Sequence, residues 1–385
     1  MRARTIAVLT LLVVALSLAH AATYKVLYTF TGIADGAQPY AGVIFDKAGN
    51  LYGVAQTGGL YGAGTVFQLS PSPDGTWTQT VLYNFTGHTD GDMPLGNLTI
   101  DDSGNLYGSA ANGGDPSAQC GTRFTLSPSG AGWTFTVTRT FLGYPDDGCH
   151  PANNWTTVAG GANDEGATWA AHGMYSFGGN GGSQPWGLGT AFNGGSHGYG
   201  TVYDLQFKCP DVPAQGKCHK RVIARHAFSG GKNGAYPMGY TLDLKVGSSY
   251  VTYGTTTSGG GRGIVYQLTQ NAKGGWSFHV IYRFSGNDGA SPSAGLITDV
   301  AGNLYGTTTW GGTDPGWGGT VFKLSPGTGK HGKVVWTLTA LHNFTGGEDG
   351  SDIYSPLTFD GAGNLYGTTV YGGTYGQGVV YEIIP

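Results

Sequence analysis

Charged residues are scarce in this sequence, and the few that occur do not cluster. Asp, Glu, Lys and Arg together make up 11% of the 385 residues, and the formal net charge is −4. A nucleic-acid-binding protein needs a basic surface to neutralise phosphates, so we expect no nucleic-acid partner. Long apolar runs are also lacking, apart from residues 6–18. A bilayer span needs about 20 apolar residues, so the sequence predicts no membrane span.

The N-terminal apolar run has the features of a cleaved signal peptide. Arg2 and Arg4 precede it, and Ala19-His20-Ala21 follows it in the form of a signal-peptidase site. We therefore expect residues 1–21 to be removed and the mature chain to begin at Ala22. This predicts a secreted, extracellular protein, with the periplasm as the alternative location.

Cysteine is nearly absent, with four residues in the whole chain. An even number in an exported protein indicates disulfides, and none of the spacings resembles a zinc ligand pair. Cys209 and Cys218 flank a short polar connection and are predicted to pair. Cys120 and Cys149 fall in loops on the same side of adjacent units, and they are predicted to form the second bridge.

Helical periodicity is absent after the signal peptide, whereas glycine is abundant and regularly placed. The motif Gly-Asn-Leu-Tyr-Gly, followed by a Gly-Gly pair, begins at Gly49, Gly104, Gly302 and Gly363. Degenerate copies occupy residues 249–260 and 186–195. Six repeats of one unit therefore determine the architecture.

Each repeat reads as four short strands separated by turns, so the predicted fold class is all-β. The phenylalanine that ends the first strand of a unit recurs in steps of 55 to 60 residues, with one step of 87. Four antiparallel strands per unit predict a six-bladed β-propeller, and a linear β-solenoid is the alternative. Residues 24–30 are predicted to pair with residues 378–383 and to complete the last blade. Residues 22–385 would then form one domain, expected to be monomeric.

The long step marks an insertion at about residues 160–185 in the third blade. Insertions on a repeat scaffold tend to lie on its functional face. His150, His172 and His197 gather around this unit together with Asp164 and Glu165, and none of the five belongs to the repeat consensus. They are candidates for a general acid and base, or for metal ligands, if the fold brings them together.

The repeat motifs resemble those of the GloVer repeat family of exported bacterial proteins. The match is carried best by residues 302–312 with 319–324, and by residues 363–373 with 378–383, which combine the Gly-Asn-Leu-Tyr-Gly core with a Gly-Thr-Val-Phe type of strand. The resemblance implies a propeller-like fold joined to a surface anchor, and we expect no such anchor in this chain. It implies no known activity and no catalytic residues.

Two sets of aspartates recur in the repeats. Asp46, Asp101, Asp299 and Asp360 precede a Gly-Asn turn and are predicted to bond the amides of that turn. A second set would surround the mouth of the central channel, where it could either hold Asp-Gly turns or bind a cation such as Ca²⁺. This second set consists of Asp35, Asp90, Asp147, Asp288 and Asp349. We otherwise expect no cofactor.

Aromatic residues at variable positions of the repeats are candidates for stacking on sugar rings, and packing between blades is the alternative. The candidate ligand-binding residues are Trp169, Trp186, Phe192, Trp310, Trp317 and Tyr371. A ligand site is expected on the face of the Asp-Gly turns and Gly-Gly loops, centred on the third-blade insertion.

The scarcity of unrepeated carboxylates favours a non-catalytic binding module for an extracellular glycan or a surface component. An extracellular polysaccharide hydrolase or lyase, with its site at the insertion, is the second hypothesis. A structural matrix protein is the third. Fold alone does not choose among them.

Overall fold

The short alternating runs between glycine-rich turns form β-strands, as the sequence predicts. The computed structural model describes residues 21–130, 132–143, 149–151, 188–208, 219–247, 249–271, 273–313 and 317–385. In these ranges the only helical segments are two three-residue 3-10 turns, Gly231–Asn233 and Lys330–Gly332. None of the described helical segments is long and apolar enough to cross a membrane. The prediction of an all-β fold is confirmed.

The strands form six antiparallel sheets, numbered here in chain order. The N-terminal strand is β1 (Thr23–Thr29). Sheet 1 contains β2 (Ile44–Phe45), β3 (Leu51–Ala55), β4 (Thr65–Pro71) and β5 (Trp77–Asn84). Sheet 2 contains β6 (Asp92–Pro94), β7 (Thr99–Ile100), β8 (Leu106–Asn112), β9 (Thr122–Ser129) and β10 (Gly132–Thr140). Sheet 3 contains β11 (Leu188–Ala191), β12 (Thr201–Lys208) and β13 (His219–Ala227).

The second half of the chain repeats this arrangement. Sheet 4 contains β14 (Leu242–Val246), β15 (Ser249–Thr256), β16 (Ile264–Gln270) and β17 (Trp276–Arg283). Sheet 5 contains β18 (Ile297–Thr298), β19 (Leu304–Thr308), β20 (Thr320–Thr328) and β21 (Val334–Asn343). Sheet 6 contains β22 (Thr358–Phe359), β23 (Leu365–Thr369) and β24 (Val379–Ile384).

Four strands per sheet is the rule in sheets 1, 4, 5 and 6. Sheet 2 has a fifth short strand because β6 also pairs with β8. Sheet 3 has three strands among the described residues. Sheet 6 takes its fourth strand from the other end of the chain, since β1 pairs with β24 from Thr23 opposite Ile384 to Thr29 opposite Val379. The predicted pairing of the N-terminal strand with the last strand is confirmed.

The Asp-x-x-Gly-Asn-Leu-Tyr motif closes the hairpin between the first two strands of a sheet. In sheet 1 the Asp46 carboxylate accepts hydrogen bonds from the Ala48 and Asn50 amides at 2.8 and 2.9 Å and from the Tyr52 hydroxyl at 3.0 Å. The same bonds form around Asp101, Asp299 and Asp360. The predicted structural role of this aspartate set is confirmed.

The glycine that ends the motif lets an aromatic ring from the neighbouring strand lie directly on the backbone. A Cβ atom at Gly53 would stand 2.5 Å from Cζ of Phe67, which is closer than carbon atoms approach. The same contact occurs once in every sheet. The other pairs are Gly108 with Phe124, Gly189 with Tyr203, Gly254 with Tyr266, Gly306 with Phe322 and Gly367 with Tyr381. The signature therefore records a packing requirement.

Neighbouring sheets pack through the phenylalanine that follows each outer strand. Its ring meets the aromatic residue just described in the next sheet, edge to face, at centroid distances of 5.2 to 5.3 Å. The described pairs are Phe30 with Phe67, Phe85 with Phe124, Phe228 with Tyr266, Phe284 with Phe322, and Phe344 with Tyr381. Because Phe30 follows β1, the first of these pairs joins sheet 6 to sheet 1.

A backbone hydrogen bond also links each repeat to the next. Its acceptor is the carbonyl of the residue before the Gly that precedes the third strand. Its donor is a backbone amide of the next repeat, three residues after the Asp of the turn (Asn in the fourth repeat), in a residue with positive φ. The six bonds, 2.7 to 3.2 Å long, run from Gln38 to Gln377, Met93 to Ala63, His150 to Cys120, Tyr236 to Tyr199, Ser291 to Arg262 and Asp352 to Gly318. We call these twelve residues the junction positions.

Candidate functional site

The Asp-Gly turns and the Gly-Gly loops lie together on one face, which we call the loop face. Antiparallel bridges join turn to loop in four repeats, between Ala37 and Thr57, Ala235 and Ser258, Ala290 and Trp310, and Ser351 and Tyr371. Every exposed Trp or Tyr among the described residues lies in a Gly-Gly loop on this face. They are Tyr61, Tyr199, Trp310, Trp317, Tyr371 and Tyr375, with exposed fractions of 39 to 64%. Such a one-sided distribution indicates a binding surface.

A cavity of about 500 Å³ opens on the loop face between the loops of sheets 4, 5 and 6. Its lining combines two tryptophans, one guanidinium and one carboxylate. The lining residues are Arg262, Ala290, Trp310, Trp317, Gly318, Gly346, Ser351 and Asp352. We call this cavity the tryptophan pocket.

Each charged group of the tryptophan pocket is held by a different tryptophan. The Trp310 indole N–H donates to Asp352 Oδ1 at 2.8 Å. The guanidinium carbon of Arg262 lies 5.8 Å from the ring centroid of Trp317, in a cation–π contact. The two tryptophans are nearly half exposed, at 49% and 44%. Their rings are therefore available to a ligand as well as to the charged groups.

Two pocket residues adopt a backbone conformation that side chains disfavour. Trp317 has φ 53° and Asp352 has φ 57°. At the position of Trp317, two residues before the Gly that starts the third strand, four other repeats have glycine: Gly62, Gly198, Gly261 and Gly376. The left-handed region costs a residue with a Cβ about 1–2 kcal/mol relative to glycine. A bulky tryptophan at such a position indicates that its side chain has a use there.

The structure brings together only part of the predicted ligand-binding set. Trp310 and Trp317 line the tryptophan pocket, and Tyr371 lies beside it through its bridge to Ser351. Phe192 is in another loop, where its ring stacks on Tyr236 at 5.0 Å. Trp169 and Trp186 lie outside the described residues.

The predicted acid–base set is only partly described. His150 Nδ1 lies 2.9 Å from Asn112 Oδ1, and His197 Nδ1 lies 2.9 Å from the Ser196 hydroxyl in a different loop. Asp164, Glu165 and His172, like the whole predicted insertion, lie outside the described residues. The described pocket is therefore centred on sheet 5, away from the third repeat on which the sequence centred it.

Arg262 and Asp352 are the functional candidates that the sequence analysis missed. Both are junction positions, which vary from repeat to repeat, so no consensus marks them. The available signal was that each puts a charged side chain at a position occupied by an uncharged residue in most other repeats.

The second aspartate set holds the turns of the loop face. The Asp35 carboxylate accepts hydrogen bonds from the Thr31 amide at 2.8 Å and the Tyr28 hydroxyl at 2.9 Å. Burial alone would raise the pKa of Asp35, but these bonds outweigh burial and hold the pKa below its usual range. Asp90, Asp288 and Asp349 make equivalent bonds within their own turns.

These carboxylates point into their own turns. Across the described ranges, no three His, Cys, Asp or Glu side chains are arranged to hold a metal ion. Asp147, the fifth member of the set, lies outside the described residues.

Cys120 and Cys149 form a disulfide, as predicted, with their Cα atoms 4.3 Å apart. The bridge joins the Gly-Gly loop of sheet 2 to the turn that enters the third repeat, beside the junction bond from His150 to Cys120 at 2.9 Å. Cys209 and Cys218 lie outside the described residues.

A model of the Gloeobacter/Verrucomicrobia repeat matches residues 13–179 and 186–385. The chain belongs to this repeat family. The family assignment agrees with the motif resemblance, and the structure explains the family's signature as hairpin closure and ring packing. No curated protein matches the chain.

Solved structures similar to this repeat protein share little sequence with it. A glucose dehydrogenase is 13% identical, with a TM-score of 0.43, over 94% of this chain and 99% of that one. A phage phi92 endosialidase is 10% identical, with a TM-score of 0.44, over 94% of this chain and 68% of that one. A thermostable family-43 glycoside hydrolase is 12% identical, with a TM-score of 0.37, over 80% of this chain and 94% of that one.

These comparisons contradict the prediction of a non-catalytic binding module, because the similar structures are named as enzymes, and most of them as glycoside hydrolases. Similarity at this level gives neither a reaction nor a substrate for this chain.

Proposed function

We propose that the protein is an extracellular glycan-cleaving enzyme, a hydrolase or a lyase, and that the tryptophan pocket binds a sugar unit of its substrate. The observation that carries the proposal is the tryptophan pocket itself, in which two half-exposed tryptophans and the carboxylate of Asp352 surround one cavity, and Trp317 adopts positive φ where four other repeats have glycine. Strained residues of this kind cluster at active sites and ligand clamps.

The pocket has the chemical groups that sugar recognition requires. The half-exposed rings of Trp310 and Trp317 offer apolar faces to the C–H face of a sugar ring. Ser351 and Asp352 offer hydrogen-bond partners for hydroxyl groups. Since about 500 Å³ lies within the usual range of small-molecule sites, one or two sugar units fit.

Asp352 is the group placed to transfer a proton. Trp310 donates to its Oδ1, and Oδ2 accepts no hydrogen bond from the described residues. A lyase needs one positioned base, whereas a glycosidase needs two carboxylates roughly 5–10 Å apart. Asp352 is the one carboxylate among the described residues that line the pocket, so the pocket as described suits elimination better than hydrolysis.

The experiment measures product release from a panel of polysaccharides, as new reducing ends and as absorbance of unsaturated sugars, which separates hydrolysis from elimination. We expect Asp352→Asn to lower kcat at least tenfold and Trp317→Ala to raise KM. Asp102→Asn is the matched control, because Asp102 is exposed and pairs with Lys47 at a hairpin turn. Absence of cleavage in the wild type, or equal activity of Asp352→Asn and Asp102→Asn, rejects the proposal.

We further propose that residues 22–385 form one closed six-bladed propeller. The six junction bonds support closure, because the bond from Gln38 to Gln377 returns from the first repeat to the last. The pairing of β1 with β24 supports it as well. Deletion of residues 22–30 should lower the midpoint of thermal unfolding by more than 10 °C. Retention of the wild-type midpoint would contradict a closed ring.

Secretion completes the proposal. The Cys120–Cys149 disulfide suits an oxidising compartment. N-terminal sequencing of protein collected from culture medium should begin at Ala22, and protein found only inside cells with residues 1–21 intact would contradict it.

A further inference from the structure

Arg262 gives the tryptophan pocket a positive charge whose backbone position is fixed. Its amide donates to the Phe284 carbonyl at 2.9 Å, and its carbonyl accepts the junction bond from Ser291 at 2.7 Å. The side chain is exposed and stands over the ring of Trp317. In the described part of the chain, no ion pair joins Arg262 to a carboxylate.

The carboxylate of Asp352 lines the same pocket but is directed elsewhere. The Trp310 indole N–H donates to Asp352 Oδ1 at 2.8 Å, whereas the guanidinium carbon of Arg262 lies 5.8 Å from the ring centroid of Trp317. Opposite charges in one cavity ordinarily attract each other, so their attachment to separate tryptophans keeps both available to a ligand. The pocket thus presents an anion-binding group and a hydroxyl-binding group apart from each other.

The Arg262 guanidinium contacts the Trp317 ring and, among the described residues, makes no side-chain hydrogen bond or ion pair, so its N–H edge is available to a ligand. That edge fits carboxylate, sulfate or phosphate oxygens with two parallel hydrogen bonds. A neutral sugar would leave this charged edge unused.

We propose that the sugar unit bound in the tryptophan pocket is anionic, carrying a carboxylate or a sulfate ester that Arg262 binds. Its hydroxyls then bond Asp352, and its ring lies against the tryptophans. This inference rests on the proposed function and names its substrate class.

The test compares glycans that differ only in charge, with the mature full-length protein. The probes are polygalacturonate and its methyl ester, together with chondroitin sulfate, its desulfated form and its carboxyl-reduced form. Binding is measured by titration calorimetry with short oligomers at low salt and at 0.5 M NaCl. The desulfated and carboxyl-reduced forms separate the sulfate from the carboxylate as the recognised group.

We expect at least one charged probe to bind tenfold or more tightly than the partner that lacks its carboxylate or its sulfate, because hydrogen bonds to charged groups contribute more than neutral ones. The preference should weaken at high salt. Arg262→Gln should abolish it. Arg283→Gln is the matched control, since Arg283 is an exposed arginine of the same sheet whose Nη2 donates to the Lys232 carbonyl at 3.3 Å.

Three results would overturn the inference. Equal affinity for every probe and for its partner that lacks the carboxylate or the sulfate rejects an anionic ligand while the proposed glycan activity stands. Equal losses in Arg262→Gln and Arg283→Gln reject Arg262 as the recognising group. Absence of binding to any charged or neutral glycan rejects both the inference and the proposed function.

Discussion

Substitution of Gly306 by alanine tests whether the family signature encodes packing. A Cβ atom at Gly306 would lie 2.7 Å from Leu296 Cδ2 and 2.7 Å from Phe322 Cζ. Both of these side chains are buried in the core between sheets 4 and 5. Neither can yield without moving its neighbours, because protein cores are close-packed.

The expected loss follows from overpacking, which destabilises a core by about 1–3 kcal/mol. With two buried side chains in the way, we expect about 2–3 kcal/mol for Gly306→Ala. Gly302→Ala isolates the backbone effect, since Gly302 has φ +80° and open space around its Cβ position, and about 1–2 kcal/mol is expected. Gly361→Ala is the control without either problem, because Gly361 has ordinary φ and no atom within 4 Å. It should leave stability unchanged or raise it by up to about 1 kcal/mol.

Urea unfolding followed by circular dichroism and by tryptophan fluorescence measures all three variants. The urea concentration at the unfolding midpoint should be highest for Gly361→Ala, lower for Gly302→Ala and lowest for Gly306→Ala. The double variant Gly306→Ala with Phe322→Leu should lose less than the two single changes combined, because the smaller side chain vacates the contact. If Gly306→Ala and Gly361→Ala unfold at the same urea concentration, the packing explanation of the motif is refuted.

Three further predictions concern the pocket, the disulfide and acid. Trp317→Gly should abolish sugar binding with little change in melting temperature, since relief of about 1 kcal/mol of backbone strain offsets a cation–π contact of similar size; a loss of more than 10 °C would show that Trp317 is structural. Replacing Cys120 and Cys149 together by serine should destabilise the fold by about 3–4 kcal/mol on the loop-entropy model, and a change below about 1 kcal/mol in urea unfolding would contradict it. Hydrogen bonds from Asn105 lower the pKa of Asp101 to about 2, so the folded state is favoured fully above the unfolded value near pH 4 and loses that stability as pH falls towards 2; a flat melting temperature between pH 5 and pH 2 would argue against this linkage.

Several features that recur in the repeats could be predicted from the sequence. The spacing of turns predicted the all-β sheets, and the offset of the first strand predicted that β1 joins β24. The hairpin role of Asp46 followed from local turn chemistry. Loop positions in neighbouring repeats were enough to predict the Cys120–Cys149 bridge.

The candidate site could be predicted only in part. Exposed aromatics at variable positions suggested Trp310 and Trp317, but their charged partners come from different repeats. Arg262 and Asp352 are 90 residues apart in the chain, and they meet only because consecutive repeats pack side by side. Spacing within one repeat carries no information about contacts between side chains of different repeats, so the insertion in the third repeat was the more conspicuous candidate.

The junction bonds explain why a site can form at such positions without damage to the fold. Donor and acceptor are both backbone atoms, so the bond fixes the main chain and leaves the side chains free to differ. The donor residue must adopt positive φ, at φ 54–61° in all six repeats, whichever side chain it carries. Substitution there changes the chemistry of the loop face but not the register of the sheets. The two junctions that flank sheet 5 carry Arg262 and Asp352, and each of these charged side chains contacts a tryptophan of sheet 5. The residues at the other four junctions do not combine a cation with a carboxylate.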